Sequence, residues 1–399
     1  MASQLARLFS QLSELLNQSQ HYWRPVAFHQ KQLPWMEQHP LLVDRFYALS
    51  LEEIDQLAAC SDSLSQFLAV EFPVAEALSG LCQLEDAAVS ILPEVSPHFY
   101  AGMPGRKWQQ VHAFARSFTP TPTDILEWCA GKSYLGFYLQ QLHQSNVIAL
   151  EWDDHLVEQA NIRAKKHHIP LHSHCIDVLS PAAPPYLRHS QQVVALHACG
   201  ELHERLLQLS VDVKVQQLQL APCCYHKRQK NDYQPLSSLG RSLDLKLNKA
   251  ELHTAVMETV TAGATLQRQR KQLQIMRLGF DCLQREIRGQ EDFLAIPSLP
   301  TSWAKADFSD FCRHCAKLKD INLPANIDWP YYLQQGHKRF KQVSALDLVR
   351  FLFRRPLEVW LALDRALLLE EKGYEVSVNT FCSKDITPRN ILIKAKLKV

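Results

Sequence analysis

Two apolar runs, each ending on an acid and separated by one helical stretch, constrain this chain more than any other feature. Asp124-Ile125-Leu126-Glu127-Trp128 leads into a small-residue turn, Cys129-Ala130-Gly131-Lys132-Ser133. Apolar residues at helical spacing follow (Tyr134, Leu135, Phe137, Tyr138, Leu142), and Asn146-Val147-Ile148-Ala149-Leu150-Glu151 closes the pattern. Strand, tight turn, helix and strand make a βαβ unit. An acid at the end of the second strand can hydrogen-bond both ribose hydroxyls of a nucleoside cofactor, with the backbone of the first turn passing beneath it. Cys129 and Ser133 stand where a dinucleotide fingerprint wants glycine, so a pyrophosphate could not come close. Two readings remain: a nucleoside cofactor without phosphates, and an ordinary α/β turn with no ligand.

The alternation continues. Asp154 to His168 reads as a helix with a basic end, and Leu171 to Asp177 as a third strand whose final carboxylate suits an adenine amino group. Gln192 to Gly200 is the fourth strand, with its helix at Glu201 to Leu209. Val215 to Leu220 is the fifth, and it runs into Ala221-Pro222-Cys223-Cys224-Tyr225-His226-Lys227. Strands alternating with helices predict a parallel, doubly wound α/β sheet with its ligand at the carboxyl ends of the strands. There the polar residues collect: His197 and Cys199 after the fourth strand, Cys223, Cys224 and His226 after the fifth. They may be read in three ways: as an acceptor-positioning wall with His197 or His226 as a base, as a zinc site, or as buried small residues beside a satisfied histidine. Adjacent cysteines seldom both ligate one ion, so the expectation is a site without metal.

Three motifs in this order, Glu127-Trp128-Cys129-Ala130-Gly131-Lys132, Leu196-His197-Ala198-Cys199-Gly200 and Ala221-Pro222-Cys223-Cys224-Tyr225-His226, resemble the class I methyltransferase domain of the glutathione S-transferase C-terminal-domain-containing protein and its bacterial relatives. A similar His-x-Cys-Gly and Cys-Cys-x-His pair occurs in a group of tRNA ribose 2′-O-methyltransferases. The resemblance covers residues 105–235 well and 355–399 loosely. It implies S-adenosylmethionine on a seven-stranded sheet. Glu127 and the turn through Cys129, Ala130 and Gly131 would take the methionine part, Glu151 the ribose and Asp177 the adenine edge. Trp152 would cover the adenine face, and His197 would border the cofactor. His197, Cys223, Cys224 and His226 are the catalytic candidates, and Lys107, Tyr225 and Lys227 the substrate-binding ones. Two departures stand out. Ser133 replaces a glycine, which bears on cofactor approach, and His203-Glu204 replaces the usual Thr-Asp, which bears on the substrate.

The flanks complete the picture. Residues 1–100 read as an all-α N-terminal domain, broken at Pro25, Pro34, Pro40 and Pro73, and Ser50 looks like a helix cap. Its aromatics, Tyr22, Trp23, Trp35, Phe46 and Tyr47, fit a core better than a base-stacking platform. Residues 101–399 read as the methyltransferase domain with a helical insertion at about 235–350, where Glu251 to Glu286 is mostly helix. In it Arg268, Arg270, Lys271 and Arg277, together with Lys227, Arg228 and Lys230, would offer a phosphate track. Cys312-Arg313-His314-Cys315 has a metal spacing but no second pair nearby. Tyr374 to Phe381 and Ile391 to Leu397 read as a closing hairpin, with Arg389 and Asn390 in its loop. A net charge of +2 excludes a strongly basic nucleic-acid binder. Eleven scattered cysteines suit a reducing compartment. No apolar run reaches about 18 residues, which excludes an ordinary membrane span. The start lacks a cationic leader, so the cytoplasm is expected. The expected acceptor is RNA, with a protein acceptor or a non-catalytic binding module as alternatives.

Overall fold

A computed structural model describes residues 3–96, 99–257 and 263–398. One sheet of seven strands carries the fold: β1 Asp124–Trp128, β2 Val147–Glu151, β3 Leu171–Cys175, β4 Gln191–Cys199, β5 Gln217–Cys223, β6 Tyr374–Thr380 and β7 Ile391–Leu397. Their order is β3-β2-β1-β4-β5-β7-β6. The first five are parallel, and β7 runs antiparallel between β5 and β6. This is the class I methyltransferase sheet. Strands buried on both faces read as apolar runs, and β4 does from Val193 to Leu196, after the buried Gln191 and Gln192. The strand order reverses between β1 and β4, so the crevice for a ligand opens at the tips of those two strands.

Two boundaries differ from the sequence reading, for local reasons. The strand β3 stops at Cys175, leaving Asp177 in the loop beyond it, where its Oδ1 accepts from Leu179 N–H at 3.0 Å. The helix expected from Glu251 to Glu286 is two helices, Lys249–Thr254 and Ala264–Arg288; residues 258–262 lie outside the described residues.

The chain forms two compact units. One comprises Met1–Asn17, Gly80–Val256 and Arg355–Val399, and the other Gln18–Ser79 and Met257–Arg354. In the first, the helix Gln4–Gln18 packs on the helix Arg354–Glu371: Phe9 stacks on Trp360 at 5.1 Å, and Trp360 Nε1 donates to Ser13 Oγ at 2.7 Å. In the second, buried guanidinium groups stitch two stretches distant in sequence. Arg285 donates to His29 O at 2.9 Å, Arg339 to Ala27 O at 2.7 Å, Arg350 to Trp23 O at 3.2 Å and Arg354 to Ala58 O at 2.8 Å. Its aromatics Trp23, Trp35 and Phe46 are core, while Tyr47 is exposed. Cys312 and Cys315 are buried on the helix Phe308–Leu318 among Phe280, Phe308 and Phe311. Among the described residues no helix is long and apolar enough to cross a membrane.

Candidate active site

At the tip of β1 the chain turns through Cys129 and Ser133, both in the left-handed region with φ of 55° and 51°. That conformation costs a side-chain-bearing residue about 1 kcal/mol. Ser133 offsets the cost locally. It is fully buried, and its Oγ donates to Glu127 Oε2. The same oxygen accepts Gly136 N–H at 3.0 Å. A Cβ on Gly136 would lie 2.5 Å from that oxygen and 2.8 Å from Val147, so only glycine lets the helix Tyr134–His143 come this close to the strands. Ser133 is turned inward and does not block the approach of a cofactor.

Glu127 is buried, and burial outweighs the Ser133 and Gly136 hydrogen bonds and the nearby Lys107 to push its carboxyl up to about 7. Lys107 comes from the helix Gly105–Arg116 and stands near Glu127, Cys223 and His197. Its own pKa is lowered by burial.

Glu151, at the tip of β2, is held by three backbone donors. Gly131 N–H reaches Oε2 at 2.7 Å, and Trp152 and Asp153 N–H reach Oε1 at 3.0 and 3.2 Å. A carboxylate has about four acceptor positions, so Oε2 retains room for one more donor. Trp152 beside it is 76% exposed and contributes no core packing. A fixed acid with spare capacity and a bare aromatic face next to it suit a ribose and an adenine. Asp177 is exposed beyond β3, as an adenine contact would need.

The opposite rim is built by a register shift in β4 between Leu196 and Cys199, which brings Cys199 opposite Cys223. His197 sits in this irregularity with φ of 68°. Its tautomer follows from its neighbour. The Gln110 amide nitrogen donates to Ile386 O at 3.2 Å, which turns Gln110 Oε1 toward His197 Nε2, also at 3.2 Å. Nε2 therefore carries the proton and Nδ1 is left as the acceptor. Burial, reinforced by Lys107, lowers His197 to about 4, so the ring is neutral at pH 7. Cys199 and Cys223 sulfurs lie 3.3 Å apart; Cys199 Sγ donates to His197 O at 3.5 Å and Cys223 Sγ to Ala198 O at 3.8 Å. Gly200 N–H donates to Cys223 O at 3.0 Å. A Cβ there would lie 1.9 Å from Lys227 O, so the loop after β5 is laid directly on Gly200.

Not every candidate faces this crevice. Tyr225 is fully buried between Arg365, 4.8 Å from its ring, and His203, so it is a core residue and touches no acceptor. Arg228 is drawn inward to Glu204 at 3.4 Å with little exposure, which removes it from a phosphate track. Arg277 donates to Pro297 O at 2.6 Å, and Arg389 is tied to Ala255 O at 3.0 Å and Glu358 at 3.3 Å. Asn390 caps its own loop through Cys382 O at 2.7 Å. Lys227, Lys230, Arg268 and Arg270 are exposed. The His203-Glu204 pair is also internal. His203 Nε2 accepts from Arg365 Nε at 2.7 Å, its Nδ1 faces Ala198 O at 2.9 Å, and Glu204 accepts from Arg365 at 2.9 Å. These residues accommodate a buried arginine and do not select a substrate. Sequence reasoning missed Gln110 and Arg365, whose partners lie far away along the chain; Gly136 was visible only as a small residue in an apolar helix.

Residues 106–231 match a family described as a methyltransferase domain. Solved methyltransferases resemble the chain distantly. The geranyl diphosphate C-methyltransferase of Streptomyces coelicolor A3(2), solved with Mg2+, geranyl diphosphate and S-adenosyl-L-homocysteine, is 10% identical over 37% of this chain and 62% of its own, with a TM-score of 0.25. The plantazolicin methyltransferase BpumL with bound SAH is 15% identical over 42% and 60%, at 0.23. The N-terminal domain of EvdMO1 with SAH bound is 15% identical over 45% and 83%, at 0.26. The chain spans about three fifths of the geranyl diphosphate enzymes. No curated protein matches it. What these comparisons give is a methyltransferase domain match over residues 106–231, on a sheet with the strand order β3-β2-β1-β4-β5-β7-β6.

Proposed function

We propose that this chain, with its methyltransferase domain over residues 106–231, methylates a nucleophile on RNA. The observation that carries the reading is the neutral His197, its proton fixed on Nε2 by Gln110 and its Nδ1 left to accept, beside Lys107 at the switch point of the sheet. Bound S-adenosylmethionine supplies an electrophilic methyl on a sulfonium. Glu151 and Trp152 orient the nucleoside end, and the turn from Cys129 to Gly131 lies under the methionine part. His197 Nδ1 accepts a hydrogen bond from the acceptor and aims its nucleophilic atom at the methyl, and Lys107 adds positive charge beside it. Exposed Lys227 and Lys230 extend that charge outward from the rim. The finer kinship, with bacterial relatives of the glutathione S-transferase C-terminal-domain-containing protein, rests on the three motifs.

A protein acceptor is the second reading, and the internal pairing of Arg228 favours it. The case for a decayed, non-catalytic module is weaker, because the Ser133 and His203 departures are both explained by buried contacts. The test is transfer of labelled methyl from S-adenosylmethionine to an extract of the source cell, with Glu151→Ala as control. Label that nuclease removes supports the RNA reading. Label that survives nuclease but not protease overturns it in favour of protein, and no label from an enzyme that binds the cofactor overturns both.

A further inference from the structure

Among the described residues, a single cluster of three or more metal-ligating groups exists: the sulfurs of Cys199, Cys223 and Cys224, all within 4.8 Å of one another. Adjacent residues in an extended strand point to opposite faces, which is why Cys223-Cys224 looks unsuited to one ion. The backbone removes the objection. Cys224 follows the last residue of β5 with φ of 45°, so the chain folds back and both sulfurs come to the same place. The register shift in β4 delivers the third sulfur from the neighbouring strand.

We infer that Cys199, Cys223 and Cys224 form a zinc site with three thiolate ligands and an open fourth position. Four ligands at a Zn–S distance of about 2.3 Å in a tetrahedron put sulfurs about 3.8 Å apart. The 3.3 Å between Cys199 and Cys223 needs a shift of only about half an ångström to match. Burial suits the ion too: Cys223 is buried and the other two are half-buried, so the sulfurs close the protein side and leave one direction open. His226 stands two residues after Cys224 with its Nδ1 buried and without a hydrogen-bond partner, but its ring nitrogens lie outside the 4.8 Å cluster. Thiolate-rich sites select zinc over the hard cations. Zinc with three thiolates carries one negative charge, and Lys227 and Lys107 lie near enough to act on these sulfurs. The ion would clamp the tips of β4 and β5 and so fix the irregular end of β4 that carries His197.

The test needs no acceptor. The full-length chain is produced with zinc in the medium, purified under reductant, and its metal measured by mass spectrometry. One zinc per chain is expected, lost in Cys199→Ser and in Cys224→Ser and kept in Cys312→Ser, whose helix holds the Cys-x-x-Cys spacing. Should the variants fail to fold, wild type reloaded with Co2+ decides the matter: intense thiolate-to-metal charge transfer supports the site, and a Co2+ spectrum without it overturns it. Wild type without zinc, or zinc retained in both Cys199→Ser and Cys224→Ser, would also overturn it. So would an intact mass lower by two hydrogens under the same reductant, since that would place a Cys199–Cys223 disulfide where the ion should be.

Discussion

At the residue scale the site divides into groups that hold the backbone and groups that face a ligand. We place Trp152 in the second group. Stacking of an aromatic ring on a base contributes about 1–3 kcal/mol, so Trp152→Ala should weaken S-adenosylmethionine binding roughly tenfold or more in calorimetry. Its thermal midpoint should stay within a degree or two of wild type, because the ring packs against no core. Glu127 is of the first kind, and its titration has a sign. Its folded pKa of about 7 lies above the ordinary 4.5. The folded chain therefore keeps a proton that the unfolded chain releases, and stability falls as pH rises from about 4.5 to about 7, then levels. Glu127→Gln removes that slope, so its urea-unfolding free energies at about pH 5 and pH 8 should differ by up to about 3 kcal/mol less than those of wild type.

At the element scale, apolar runs bounded by turn residues made β1, β2, β4 and β5 legible in the sequence, and the acids that end β1 and β2 marked the crevice. What stayed hidden depends on contacts between elements. Nothing local tells that Ser133 turns into the protein, that Gln110 sets the His197 tautomer, or that Arg365 meets His203 across 162 positions. Tyr225 and Arg228 belong to the same lesson: a polar residue just past a strand looks available until a buried partner from a distant helix is seen to take it. The joint between β4 and the loop after β5 is the most sensitive of these contacts. Gly200→Ala would drive its Cβ into Lys227 O, a backbone atom that cannot swing aside. A loss of about 3 kcal/mol or more is expected in chemical denaturation.

At the scale of the whole molecule, the helices of Gln18–Ser79 and of Met257–Arg354 are one structure written in two places. Removing Gln18–Ser79 would strip carbonyl acceptors from Arg285, Arg339, Arg350 and Arg354, at about 1–3 kcal/mol for each buried donor left unmet. Hydrogen exchange should then show residues 264–352 losing protection while the strand amides of β1, β4 and β5 keep theirs. Protection retained across 264–352 would mean that the insertion folds without its N-terminal half.

The same interleaving sets a timetable for synthesis. The helix Gln4–Gln18 is made long before its partner Trp360, and β5 long before β7, which lies between β5 and β6. Growing chains usually fold from the N-terminus, one domain at a time. Here the segments that complete each unit lie far apart in the sequence, so the nascent chain carries apolar helix faces and an unpaired β5 edge until β7 has been made. Exposed surface of that kind is what chaperones bind, however stable the finished fold.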